Sequence, residues 1–203
     1  MTAPTTAALP TPPPAADPRE RLVAGMAAAI PELGYAALRV EDVVRYARAS
    51  KRTFYEHFDG KEACLLALYE SESARLLAEV EAALAAAPPG AAAVKAGTAV
   101  YLAALQQAPG LVRTVLVEIL HAGRRGLAVR RRVMRRFADL WVREMARAGV
   151  RRPPALARAL ATALVGGVNE LVLEAVEDDR VDRLGELAPA VAALARAFVA
   201  PGA

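Results

Sequence analysis

Ala and Leu recur along this chain at intervals of three and four residues, in blocks separated by Pro and Gly. That pattern admits helices and little else, since Ala and Leu are strong helix formers and the spacing is that of one helical face. Ile is scarce, and no repeat of 20–50 residues is visible. The expectation is an all-α protein of 203 residues, long enough to bury a core.

The breaks give the layout. Asp17-Pro18-Arg19-Glu20 reads as a helix start, with Asp17 as cap and Pro18 at the first helical position. The first helix runs over about 18–33, places Leu22, Met26 and Ile30 on one face, and stops at Gly34; Pro31 should loosen its last turn. A short second helix spans 40–47. Ser50 is a natural cap for a short third helix, 51–57, which Asp59-Gly60 breaks. A long fourth helix follows over about 61–87, ending at Pro88-Pro89-Gly90. Further helices are read at about 91–107, 109–121, 126–148, 154–178 and 183–199. The last spaces Leu184, Leu187, Val191, Leu194 and Phe198 by three and four, and Pro189 either kinks it or marks its true start.

Composition excludes several classes. The lone Cys64 rules out an intramolecular disulfide and a Cys-based metal cluster, and with only His57 and His121 a zinc site is not expected. No nucleophile–base pair or metal cage is visible, so neither catalytic residues, metal nor cofactor is expected. Residues 1–17 are rich in Pro, Ala and Thr and read as a disordered arm, without the basic-then-apolar order of a signal peptide. No run of about 18 apolar residues free of charges or breakers is seen, so no membrane span is expected and the default compartment is the cytoplasm. A net charge of +4 and a pI of 9.6 permit a nucleic-acid partner without demanding one.

Chemistry concentrates in SKRTFYEHFDGKEA, residues 50–63. Helices two and three, joined by a tight turn, have helix-turn-helix proportions, in which the second helix enters the major groove. Arg45, Arg48, Lys51 and Arg52 form a positive edge with no acid among residues 45–52. Ser50, Thr53, Tyr55 and His57 offer short or flat donors suited to phosphate oxygens, and Thr can also touch a thymine methyl. Phe54 and Phe58, four apart, can fix the third helix inward. Lys61 opens the fourth helix, where its charge and the free N–H groups favour a phosphate.

Gly34-Tyr35, Val40-Glu41-Asp42-Val43, Ser50 to Phe58 and Lys61-Glu62-Ala63, in this order and spacing, resemble the N-terminal domain of the TetR family of transcriptional repressors. The resemblance covers about 45 residues; beyond them only the helical layout agrees. It implies an all-α homodimer with an N-terminal helix-turn-helix three-helix domain at 18–62 and a larger helical ligand-binding and dimerisation domain at 63–200. It implies reading helices ~34–36 Å apart on a palindromic double-stranded operator. It also implies a small-molecule effector that releases the DNA. Ser50, Lys51, Thr53, Tyr55, His57 and Lys61 fall where the family meets DNA, and helices 154–178 and 183–199 where it dimerises, which nominates Leu164, Leu171, Leu187, Val191, Leu194 and Phe198. Two positions depart from the family's pattern. Leu38-Arg39 stands where a Ser or Thr usually caps helix two, and Arg39 could instead reach a phosphate. Arg48 stands where the turn usually has Gly, at a steric cost if that residue needs φ > 0.

Elsewhere the residues leave alternatives. Tyr101, Leu105, Phe137, Trp141 and Met145 either line a ligand cavity or are plain core. Asn169 and Glu170 interrupt an apolar stretch, so a ligand or dimer mate could satisfy them, or Glu170 faces water. Gly166-Gly167 would suit a close helix approach. The run Arg124, Arg125, Arg130–Arg132, Arg135 and Arg136 could flank DNA or bind an acidic ligand, but reads first as a solvated face partly paired with Glu70, Glu72 and Glu79. Cys64 reads as a small buried hydrophobe, with a redox sensor as the alternative. The mostly Leu, Val and Ala lining tilts the effector toward a lipophile. A TetR-like dimer governed by a protein partner, or a helical-bundle enzyme, are the competing classes.

Overall fold

The computed structural model describes residues 17–199. The arm read over 1–17 therefore lies outside the described residues except for Asp17, as does the side chain of His121. Among the described residues the elements are helical throughout: α1 (Pro18–Leu33), α2 (Val40–Ala47), α3 (Lys51–His57), α4 (Lys61–Ala86), α5 (Ala91–Gln106), α6 (Pro109–His121), α7 (Gly123–Arg147), α8 (Pro154–Glu177), a 3-10 segment (Val181–Leu187) and α9 (Ala188–Val199). Two compact units form, one ending at Leu68 and the other beginning at Tyr69, within α4.

In the N-terminal unit, α1 packs chiefly on α2 and also meets α3. Leu22, Met26, Val43, Phe54, Cys64 and Leu68 are fully buried; each large side chain among them contributes ~1.5–3 kcal/mol on burial. The α1–α2 crossing is close because of Gly25: a Cβ there would lie 2.8 Å from both the Ala47 Cβ and the Val43 carbonyl. Asp17 makes no side-chain cap, contrary to expectation; α1 begins with the Arg21 N–H on the Asp17 carbonyl at 3.0 Å. Pro31 does not end α1, which runs to Leu33, and the Gly34 N–H closes it on the Ile30 carbonyl at 2.9 Å.

The second unit holds α7 along α8, with α5 against α9 and the 3-10 segment. Its apolar groups include Val94, Ala138, Met145, Ala161, Leu164 and Phe198, with Leu102, Val172 and Leu184 in a neighbouring cluster. One buried charge ties elements together. The Glu144 carboxylate, 4% exposed, accepts from Arg147 at 2.7 Å and from the Gly90 N–H at 3.4 Å. Arg147 in turn donates to the Leu84 and Ala87 carbonyls, satisfying the end of α4. Pro189 marks the true start of the last helix, which begins at Ala188 after the 3-10 segment.

By length and composition α8 is long and apolar enough to span a bilayer, with mean hydropathy 1.5, although Gly166-Gly167, Glu170 and Glu174 interrupt its apolar run. It packs on α7 and α9 here, and Arg158 within it pairs with Asp139 at 2.6 Å.

Candidate DNA-reading helix and ligand cavity

The local sequence explains how α3 is held. The Ser50 Oγ accepts the Thr53 N–H at 3.0 Å and lies 2.9 Å from the Thr53 Oγ1, so the expected cap forms and fixes Thr53 as well. Phe54 and Phe58 are buried, and their rings meet at 5.7 Å. Anchoring these two leaves Tyr55, 60% exposed, and His57 on the outward face. Ser50 and Lys51 are exposed beside them.

The turn is made by Arg48 in the left-handed conformation, φ 50° and ψ 45°, so the position does require φ > 0 and arginine bears the cost expected of a non-glycine residue. Its N–H reaches the Arg45 carbonyl at 3.2 Å, and the Ala49 N–H reaches that of Val44 at 2.9 Å. The missing cap of α2 is supplied from within the helix: the Asp42 carboxylate accepts the Arg39 N–H at 3.0 Å. Arginine has no acceptor, so only this returning half of a capping box exists. The Arg39 side chain stays exposed.

Lys61 departs from its expected role. Its Nζ donates to the Tyr35, Ala36 and Leu38 carbonyls at 3.0, 3.3 and 3.0 Å and sits 4.6 Å from the Tyr35 ring centre. The three donors of an ammonium are then committed to the α1–α2 loop, and no phosphate is needed to explain the residue. Lys51 is paired with Glu41 of α2, which holds that carboxyl below its usual range and raises the lysine. Arg52 pairs with Glu56 at 3.0 Å along α3. Cys64 donates to the Leu22 carbonyl at 3.7 Å, and burial pushes its thiol up to about 12, so it is not a poised redox group.

In the second unit a cavity of about 1110 Å³, mouth included, opens among α4, α5, α7 and α8. Tyr101, Leu105, Phe137, Trp141 and Asn169 line it as nominated. Met145 does not: it is 2% exposed and belongs to the packed cluster around Ala138 and Ala161. Lining residues not singled out from sequence include Tyr69 and Thr98; Thr98 is a polar residue inside the apolar run AAAVKAGTAVYLAAL, a signal of the kind read at Asn169. Burial raises the Tyr101 phenol well above its ordinary range, so it is a neutral donor at physiological pH. At the mouth, Arg75 is held by Glu72 at 2.9 Å and Glu79 at 2.6 Å. Of the Arg run on α7, Arg132 pairs with Glu70 at 2.7 Å, while Glu72 and Glu79 pair within α4. Arg130, Arg131 and Arg135 line a shallow groove with Leu127 and Arg158.

The nominated dimer residues divide. Leu164, Val191 and Phe198 are buried in the protomer at 3, 3 and 7% exposure, so they are core and not seam. Their face of each helix meets the other helices of its own chain; the Phe198 ring stands edge-on to Trp141 at 6.5 Å. Leu171 and Leu187 are half-buried, and Leu187 packs on the cluster containing Leu102 and Leu184. Leu194 is exposed, as is Leu156 on α8. Gly166 has no heavy atom within 4 Å of a notional Cβ, and at Gly167 a Cβ would meet the Leu194 Cδ2 at 3.5 Å, ordinary van der Waals contact. Glu170 faces water.

A short helix, a left-handed turn and a second short helix with buried aromatics and an outward polar face have the geometry of a helix-turn-helix motif. Residues 24–68 match the family model described as "Bacterial regulatory proteins, tetR family". Among curated proteins, none matches this chain in sequence. Among solved structures, the fatty acid degradation regulator FadR from Bacillus halodurans is similar, at 16% identity and a TM-score of 0.72, covering 92% of this chain and 97% of that one. FadR from Bacillus subtilis, in complex with stearoyl-CoA, is similar at 14% identity and 0.69, with 88% and 98% covered. The TetR-family regulator PfmR from Thermus thermophilus is similar at 21% identity and 0.58, with 91% and 97% covered. The fold is that of TetR-family transcriptional regulators.

Proposed function

We propose that this protein is a homodimeric, cytoplasmic repressor that binds a palindromic operator through α3 and is released by a small lipophilic effector bound in the second unit. The observation that carries the reading is α3 itself. Seven residues long, it spends Phe54 on the core and turns Tyr55 and His57 outward, beside the exposed side chains of Arg48, the cap Ser50 and Lys51, the last paired with Glu41 of α2. Donors of this kind are what phosphates and base edges accept.

Dimerisation is supported by α8, of which only 28% of the apolar window is buried in the protomer, and by exposed Leu156 and Leu194. A second copy would cover them. The cavity, lined mainly by Leu, Val, Ala and aromatic side chains, supports a lipophilic effector; one similar fold was solved with stearoyl-CoA bound. Release is then a population shift: the effector must bind the non-DNA-binding state better. That preference has to offset part of a specific-over-non-specific gap of ~4–10 kcal/mol.

Selection from random DNA fragments, with wild-type protein beside Tyr55→Ala at moderate salt, tests the reading. A palindromic consensus that the variant loses supports it. No enrichment by a folded dimer overturns it and leaves a protein partner as the target.

A further inference from the structure

Among the cavity's lining residues, Thr98 is anomalous. It is 3% exposed, and its Oγ1 is buried with no hydrogen-bond partner among the described residues. A helical threonine usually returns its hydroxyl to the carbonyl one turn back, as Thr162 does on Arg158 at 2.9 Å. Thr98 does not. Burying a hydroxyl without a partner is costly, so a group that satisfies it on binding gains more than an apolar contact would.

The surroundings narrow the chemistry. Tyr101, Asn169 and Thr98 are neutral polar groups in a lining otherwise mostly Leu, Val, Ala and aromatic. The charged lining residues are Glu72 and Arg75, and Arg75 is shared between Glu72 and Glu79. Among the lining residues themselves, a free carboxylate would find the one cation, Arg75, already held by two carboxylates. Building on the reading of this cavity as the effector site, we infer that Thr98 is the polar anchor for a neutral, mainly apolar effector bearing a carbonyl or hydroxyl group. The hydroxyl can donate to the one or exchange hydrogen bonds with the other.

Trp141, the only tryptophan, lines the cavity, so its emission reports occupancy. The test titrates the full-length protein with 2-octanone, 1-octanol, octanoate and n-octane, for wild type, Thr98→Val and Thr98→Ser. Thr98→Val keeps the shape and deletes the hydroxyl. The expected result is that it weakens ketone and alcohol binding ~3–10-fold, leaves n-octane unchanged, and raises the Tm of the unliganded protein; Thr98→Ser restores the ketone. Equal ketone affinity in wild type and Thr98→Val, with n-octane still binding, overturns the anchor while the cavity reading stands. Octanoate as the tightest ligand overturns the neutral class. No response to any probe in a folded protein removes the effector site itself, and the anchor with it.

Discussion

Arg48→Gly separates two consequences of one residue. The structure holds Arg48 at φ 50° and ψ 45°, where an L side chain costs ~1–2 kcal/mol. Glycine removes that cost but loses ~0.5–1 kcal/mol more backbone entropy on folding. The net is a stabilisation of ~0.5–1 kcal/mol, or ~1–4 °C in Tm for a chain of this size. The same change deletes an exposed guanidinium at the edge of α3. If each Arg48 neutralises one phosphate, a dimer loses two contacts, and the slope of log K against log salt shrinks by ~1.8. Arg48→Gly should therefore melt later and bind all DNA sequences more weakly. Arg48→Ala should lose the same salt slope without the gain in Tm, because Ala keeps the strain. Differential scanning fluorimetry and operator titrations at several salt concentrations read both quantities. A Tm for Arg48→Gly at or below that of Arg48→Ala would falsify the strain argument, and an unchanged salt slope would remove Arg48 from the phosphate contacts.

Lys61→Met should destabilise the N-terminal unit by ~1.5–3 kcal/mol in urea, since an ammonium bonded to the α1–α2 loop carbonyls is lost; unchanged stability with weaker DNA binding would restore Lys61 to a phosphate. Met145→Ala should cost ~2–5 kcal/mol yet leave 2-octanone affinity by Trp141 emission unaltered, because Met145 is core beside the cavity; a clear affinity change would put it back in the lining. Cys64 has its thiol raised from 9.0 to about 12 in the fold, so the unfolded chain loses that proton first and stability should fall as pH rises from about 9 toward 12, with no contribution below. Cys64→Ala should flatten that alkaline fall, and the native thiol should resist Ellman's reagent at pH 8 until urea unfolds the protein. Leu194→Glu, on an exposed apolar position of α9, should yield monomers by light scattering and abolish operator binding; an intact dimer would move the interface off α9.

What the sequence by itself determined was local. Helix ends follow from Ser50, Gly34, Asp59-Gly60 and the Pro-Gly breaks, because caps and backbone conformations involve residues within one turn. The outward polar face of α3 was equally legible, since Phe54 and Phe58 set its rotation by their spacing. Lys61, Met145, Val191 and Phe198 were not, because their assignment depends on which distant surface each side chain meets. Lys61 reads as a free cation until the α1–α2 loop, some 25 residues earlier, turns its carbonyls toward it. An apolar seam on α9 reads the same whether a second copy or its own α5 and α8 covers it; only packing sends Val191 and Phe198 inward and leaves Leu194 out. Thr98 marks the same limit. Its place in an apolar run is visible in the sequence, but that its hydroxyl is buried at a cavity without a partner is a property of long-range packing, which no local pattern encodes.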